Sequence, residues 1–597
     1  MRDLFELHIE YKEMTPLLVK RSFKIYLEQF DPEKIYLLKS EVIPYLELGR
    51  LEVKEIINSY DKGQYSAYKG IAKVSANASQ RASRLRAEVI QELREGKKVP
   101  MSASITHVDY AQNEGELKRR IAARISTALR LDQRPLPPDK LAKGLALVNK
   151  KLNRREKDYL LPTENLITLH MLKAFSRSLD AHTAYYSPDE AYEIRTSLKK
   201  QLEGIGIVLR ENINGIYVAD LIENGPAYQS GGVKVGDILI EVNRRSVDQI
   251  TFDEVLDELK GEAGSSLEIV VEREQKQHRV KLLREKIAMS DELVSYTVEP
   301  YADGIIGKIE LPAFYDNGQE INAESHLRAA LRDLKAQGDL RGIVIDMREN
   351  AGGFLTQAVK IAGMFITRGV VVISKYAQGE VQYLRNLDGR VFFDGPIVLL
   401  TSKASASAAE IVAGALQDYG VAIVVGDPRT YGKGTMQYQT ITDNRADTFF
   451  KVTVGRYYTV SGQSTQIIGV PADILVPSVY SPFNVGERYL EYPISGDRLA
   501  AAYVDPLTGL DPKTQQLLQQ KYIPYLQKQE TRWKKMVPQL KANSTRRIKN
   551  DPNFQCFLKV INGKNTECTR KNNFGSEDLQ MREAVNIVRD MVAMSHQ

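Results

Sequence analysis

Only two cysteines and one tryptophan occur in this chain of 597 residues, and no apolar run approaches the ~20 residues that a bilayer crossing needs. That shortage excludes a dense disulfide framework and leaves no stretch of this sequence long and apolar enough for a membrane-spanning helix. Cys556 and Cys568 have eleven residues between them, so one local disulfide or two free thiols remain open. A metal site is not expected, because two cysteines without nearby histidines cannot complete four ligands. Charge of one sign is also scarce: 82 Lys+Arg against 76 Asp+Glu leaves +6, too little at this length to point to nucleic acid. The locally basic stretch LKRRIAARISTALRLD (117–132) reads as a solvated amphipathic helix. The opening residues MRDLFELHIEYKEM carry no apolar signal-peptide core, which leaves a cytosolic protein or a chain whose first residue follows a removed signal.

What is present divides by texture. Residues 1–185 show apolar residues at helical spacing, as in PLLVKRSFKIYLEQF and ENLITLHMLKAFSRSL, and end in the polar and aromatic turn DAHTAYYSP. After a linker at 186–202, residues 203–288 carry short β-rich runs with glycine turns and one helix, TFDEVLDELKG, a small barrel-like module. Residues 289–478 alternate apolar strands with helices, the pattern of a largely parallel sheet covered on both faces. Residues 479–597 read as helical and basic.

The stretch SKASASAAEIVAGALQDYGVAIVVGDPRTYGKGTMQ (402–437) carries the most chemistry. Ser407 stands where the strand PIVLLTS meets the helix AAEIVAGALQDYG, and a helix mouth offers free N–H groups suited to an oxyanion. The same residues fit a capping box, Ser407-Ala408-Ala409-Glu410, whose work is to start a helix. Ser402 and Ser405 compete as nucleophiles. Lys433, between Gly432 and Gly434, follows a strand expected beside the serine strand. To serve as a base its pKa has to fall from ~10.4 towards ~7, roughly 4–5 kcal/mol of preference for the neutral amine, which an apolar pocket supplies. Gln437 either orients that amine or is a polar strand residue. Gly352-Gly353, after the strand GIVIDMR, permits close approach to a substrate carbonyl or serves only to start a helix. Ser197-Leu198-Lys199-Lys200 fits S-x-x-K, but no Ser-Asp-Asn or Lys-Thr-Gly partner accompanies it.

Seven pieces occur in order: DAHTAYYSP, GIGI, GPAYQSGGVKVGDILIEVN, DMRENAGG, SASAAEIVAGALQDYG, YGKGTMQ and RYYTVSGQSTQIIGVPADI. Together they resemble the C-terminal processing (tail-specific) proteases, peptidase family S41, in their long periplasmic Gram-negative form. The resemblance implies a multidomain α+β protein, with a ClpP/crotonase-like α/β core, a PDZ domain and helical N- and C-terminal regions. It puts the nucleophile on Ser407, the general base on Lys433, the lysine-orienting residue on Gln437, and the oxyanion hole on Gly353 and the amide of Ala408. It makes Gly204-Ile205-Gly206-Ile207 the carboxylate-binding loop, with Phe252, Val255 and Leu259 around the last apolar side chain of a bound tail. It implies protein substrates with exposed apolar C-termini, no cofactor, a periplasmic location and a possible homo-oligomer. A catalytically dead peptide-binding scaffold of the same architecture is the rival. Two departures stand out: Ala409 replaces the last serine of the usual Ser-Ala-Ser-Ala-Ser-Glu run, and the loop GDPRTYGK is one residue longer than the common form. Counting from Glu410 gives Ser407, whereas counting back from Lys433 gives Ala408, which has no nucleophile; the rigid helix makes Glu410 the better anchor.

Overall fold

The computed structural model describes residues 1–97, 109–129, 136–212, 215–289, 292–443, 445–563 and 577–595. Its centre is a six-stranded sheet whose first two strands, Ser295–Tyr301 and Gly304–Glu310, pair antiparallel. Leu340–Asp346, Ile397–Thr401, Ile423–Gly426 and Ile474–Leu475 then add in parallel. The runs Ile343-Val344-Ile345 and Val398-Leu399-Leu400 are wholly buried because both faces of this sheet are covered. Ile343, Ile345 and Leu399 face the helices Ala323–Gln337, Leu355–Gly363 and Ala408–Asp418. Val344, Val398 and Leu400 turn the other way, onto Trp533, Leu540 and Val588 of the C-terminal helices Arg532–Asn550 and Leu579–Ser595.

A second sheet of five strands lies beyond the first layer of helices. It joins Ala184–Tyr186, Phe449–Thr459, Gly369–Tyr376 and Val381–Asn386, with Thr435–Gln439 pairing on Phe449–Thr459. Phe450 and Val452 of its long strand are buried in the core of the N-terminal helices, among Phe5, Phe23 and Phe175. The N-terminal region is therefore packed directly onto the sheet that carries Lys433's neighbours.

The β-rich module forms a separate sheet in the order Ile207–Asn212, Gly215–Leu221, Ile238–Val242, Ser266–Arg273, Lys276–Leu283, with its own apolar core under the helix Phe252–Leu259. A two-stranded ribbon, Gln201–Gly204 with Glu285–Ala288, connects it to the rest. The helix Glu114–Ala128 buries Leu117, Ile121 and Ile125, but its basic face is not simply solvated as expected: Lys118 pairs with Glu88 and Glu92, Arg120 with Glu116 and Arg124 with Glu33, which leaves Arg119 exposed.

One expected region differs. The helical reading from 479 onward holds only from Pro512: residues 479–511 carry a single 3-10 turn, Glu487–Tyr489. Pro482, Pro493 and Pro506 with Gly486, Gly496 and Gly509 interrupt any helix there. Cys556, buried on the helix Pro552–Ile561, is not a free thiol, while Cys568 lies outside the described residues. Among the described residues no helix is long and apolar enough to cross a membrane.

Candidate active site

The strand Ile397–Thr401 ends in a turn that delivers Ser407 to the mouth of the helix Ala408–Asp418. Ser407 takes φ +57° and ψ −115°, a conformation that non-glycine residues rarely adopt. Such a bend costs of order 1–3 kcal/mol and persists only when its surroundings enforce it. The capping box is half present: the Glu410 carboxylate accepts from the Ser407 amide at 2.8 Å, but the serine hydroxyl makes no cap hydrogen bond. Ser402 and Ser405 are in a different position. Both are buried, and their hydroxyls donate to the carbonyls of Arg348 (2.5 Å) and Met347 (2.7 Å), tying the serine turn to the strand Leu340–Asp346.

The Gly352-Gly353 turn lies against the same helix mouth. A β-carbon on Gly352 would stand 2.8 Å from that of Ser407, and one on Gly353 would stand 2.3 Å from the Phe314 carbonyl, so neither position admits a side chain. Asn350 fixes the turn by accepting from the Gly352 amide (2.8 Å) and donating to Leu311 O (2.8 Å). The amides of Gly353 and Ala408 donate to no acceptor among the described residues.

Glu410 joins the two halves of the site, a role the sequence did not disclose. Its buried carboxylate accepts from the amides of Ser407 (2.8 Å), Gly432 (2.7 Å) and Lys433 (2.8 Å) and from the Thr430 hydroxyl (2.5 Å). Ser407 and Lys433 thus hang from one oxygen. The Tyr457 hydroxyl lies between their two carbonyl oxygens, 3.0 Å from that of Ser407. The loop GDPRTYGK (426–433) is fastened to this carboxylate through Thr430, Gly432 and Lys433. Burial pushes Glu410 up to about 7, against the hydrogen bonds of Thr430, Gly432, Ser407 and Lys433. Burial lowers the Lys433 amine to about 8, with Lys451 adding to the effect and Glu487, Glu410 and Asp180 opposing it. The residue keeps some exposed surface, while its amine lies deep among protein atoms. Gln437 sits on the strand Thr435–Gln439 beside a β-bulge, its amide nitrogen 3.0 Å from Thr435 Oγ1 and 3.3 Å from Thr453 Oγ1.

The turn DAHTAYYSP reaches this site from the N-terminal region. His182 Nε2 lies 2.7 Å from the buried Glu487, whose other oxygen accepts from Gln466, and Gln466 in turn accepts from the Gly434 amide (2.6 Å). These partners lie too far apart in sequence for any local pattern to connect them.

In the small module, Gly204-Ile205-Gly206-Ile207 lines one side of a cavity of about 330 Å³, and Leu256 and Leu259 line the other. The amides of Ile205 and Gly206 donate to no described acceptor, and Ile207–Asn212 is an edge strand. Two expected lining residues are elsewhere. Val255 is fully buried in the module's core and Phe252 packs against that core; Leu256 takes the cavity position. One residue on a helix is a turn of about 100°, enough to exchange a core face for a groove face. Tyr192 and Thr196 of the helix Pro188–Lys199 add an unforeseen third wall.

The model of the Tail specific protease N-terminal domain matches residues 1–189, that of the PDZ domain matches 195–272, and that of Peptidase family S41 matches 305–476. The Carboxy-terminal-processing protease of Bartonella bacilliformis is 32% identical over 348 residues, which cover 77% of that protein and 56% of this chain. The chain belongs to peptidase family S41. The Tail-specific protease of Haemophilus influenzae is 28% identical over 460 residues, 75% of this chain but 61% of that protein's length. The solved photosystem II D1 C-terminal processing protease is 26% identical, with a TM-score of 0.32, over 54% of this chain and 86% of its own. The fold is accordingly an S41 protease core with a PDZ domain and a helical N-terminal region.

Proposed function

We propose that this S41 protein is a serine endopeptidase in which Ser407 is the nucleophile and Lys433 its general base, acting on flexible proteins whose apolar C-termini dock in the PDZ groove. The observation that carries the reading is the Glu410 carboxylate, which holds the Ser407 and Lys433 amides on one oxygen while leaving the serine hydroxyl without a structural hydrogen bond. An amine lowered to about 8 is partly neutral at physiological pH, as a base must be. Neutral Lys433 takes the proton from Ser407 Oγ as the oxygen attacks the scissile carbonyl. The unpaired amides of Gly353 and Ala408 receive the developing oxyanion. The intermediate collapses, Lys433 passes its proton to the leaving amine, and an ester on Ser407 remains. A water molecule, deprotonated by Lys433, then hydrolyses that ester and frees the serine.

The tail adds a strand to the edge Ile207–Asn212, with its carboxylate on the Ile205 and Gly206 amides and its last side chain between Leu256 and Leu259. The absence of a free thiol at Cys556 supports an oxidising compartment, and hence the periplasm. The test is digestion of an unstructured protein bearing an apolar C-terminus, read by mass spectrometry. Wild type should cleave it and Ser407→Ala should not. Tail binding without cleavage by wild type would instead mark a peptide-binding scaffold.

A further inference from the structure

His8, near the start of the chain, is fully buried, as is Asp180, 172 positions further on. His8 Nδ1 accepts from the amides of Glu10 (3.1 Å) and Tyr11 (2.9 Å). The ring proton is therefore on Nε2, which donates to Asp180 Oδ2 at 2.9 Å. The carboxylate also accepts from the Thr183 hydroxyl (2.5 Å), from the amides of His182 (2.6 Å) and Thr183 (3.0 Å), and from the Thr453 hydroxyl (3.0 Å). Burial alone would raise Asp180; these hydrogen bonds outweigh it and hold the group at about 2, so it stays ionised.

An ionised carboxylate only accepts, so the Thr453 hydroxyl proton has to point at Asp180. Lone pairs are then all that Thr453 Oγ1 can turn towards Gln437, 3.3 Å away, and the glutamine answers with its NH2 group. The second amide hydrogen goes to Thr435 Oγ1 at 3.0 Å. With both hydrogens engaged, the orientation of the side-chain amide is fixed. Its carbonyl oxygen becomes the free end and accepts no hydrogen bond from any described residue. The bulge between Met436 and Gln437 lies at this point, where a strand commonly re-aims a side chain.

We propose that His8, Asp180 and Thr453 are positioning residues, a relay from the N-terminal region that orients Gln437 so that its carbonyl oxygen stays free to receive the Lys433 amine during proton transfer. The relay rests on the Ser407–Lys433 reading given above. It gives the N-terminal helices a part in the chemistry, since their docking on the strand Phe449–Thr459 is what brings His8 and Asp180 to Thr453.

Thr453→Val tests it in the full chain, since valine keeps the shape and replaces only the hydroxyl with a methyl group. The expected result is a loss of at least about tenfold in kcat with KM nearly unchanged and the melting temperature lowered by no more than a few degrees. Thr453→Ser, which restores the hydroxyl, should recover most of the activity. Combined with Gln437→Ala, the valine should cost nothing further, because both changes break the same chain of contacts. Should the valine variant melt much lower, His8→Asn replaces it: the asparagine oxygen can still accept from the backbone amides, but its shorter side chain does not carry a donor out to Asp180, and the same non-additivity is expected. Full kcat in Thr453→Val, or losses that multiply with Gln437→Ala, would overturn the relay. Either result beside an inactive Lys433→Ala leaves the dyad standing, whereas an active Lys433→Ala removes the dyad itself.

Discussion

Replacing Lys433 by methionine should abolish proteolysis and at the same time make the protein more stable at neutral pH. Burial dominates the lowering of this amine from 10.5 to about 8, so the folded state disfavours the ammonium that the unfolded chain carries. The lowering corresponds to about 3 kcal/mol of destabilisation at pH 7, an upper value because the residue keeps some exposed surface. The sign follows from proton counting. Between pH 8 and 10.5 the unfolded chain binds more protons than the native protein, so wild-type stability rises with pH through that window. Methionine retains the apolar stem and removes the charge. The variant's advantage is therefore full below pH 8, falls to about half by pH 9.5 and disappears above 10.5. Spread over a protease core of this size, it should raise the relevant melting transition by roughly 5–10 °C at pH 7. Parallel thermal melts of wild type and Lys433→Met at pH 7 and 9.5 provide the assay. A variant that melts below wild type at pH 7 would refute the reasoning, because the amine would then be an ion-paired ammonium held by Glu410, Glu487 and Asp180.

The pH dependence of kcat/KM should rise about tenfold per unit below pH 8 and level off above it, as Lys433 loses its proton; a flat profile from pH 6 to 9 would contradict this. Glu410→Gln keeps one acceptor oxygen for three buried amides, so at least one N–H is orphaned at about 1.5–3 kcal/mol. Its kcat should fall about a hundredfold as the serine and lysine turns separate, measured beside a lowered melting temperature. In the PDZ module, Leu256→Ala should weaken binding of an apolar-tailed peptide about tenfold with little change in melting, by anisotropy and calorimetry. Val255→Ala should do the reverse, since Val255 fills the core and does not line the groove.

The central sheet was legible because parallel strands covered on both faces must be apolar throughout, and Ile343 to Ile345 and Val398 to Leu400 are. Ser407 was legible as a strand-to-helix position, and Gly352-Gly353 as a turn without side chains. Its rivals Ser402 and Ser405 were not distinguishable, because their hydroxyls are engaged by carbonyls more than fifty residues away. The exchange of Val255 for Leu256 has a different origin: a short helix with apolar residues at 252, 255, 256 and 259 leaves its rotational phase undetermined by about one residue. The roles of His8, Thr453 and Glu487, and of Asp180 within the turn DAHTAYYSP, escaped for a third reason. Each of these residues is polar and buried only because distant segments meet, so no periodicity or spacing within one segment signals them. Even Glu410, noted as a helix cap, showed half of its work; its grip on the 430–433 turn exists only in the folded chain.

The pairing of Ser407 with Lys433 is tested most directly by trapping the acyl-enzyme. A peptide ester that acylates quickly and is released slowly, mixed with the full chain and followed by peptide mapping, should leave its acyl group on Ser407, and Lys433→Ala should leave the serine unmodified. An adduct on Ser402 or Ser405, or unimpaired acylation of Ser407 without the lysine, would contradict the account.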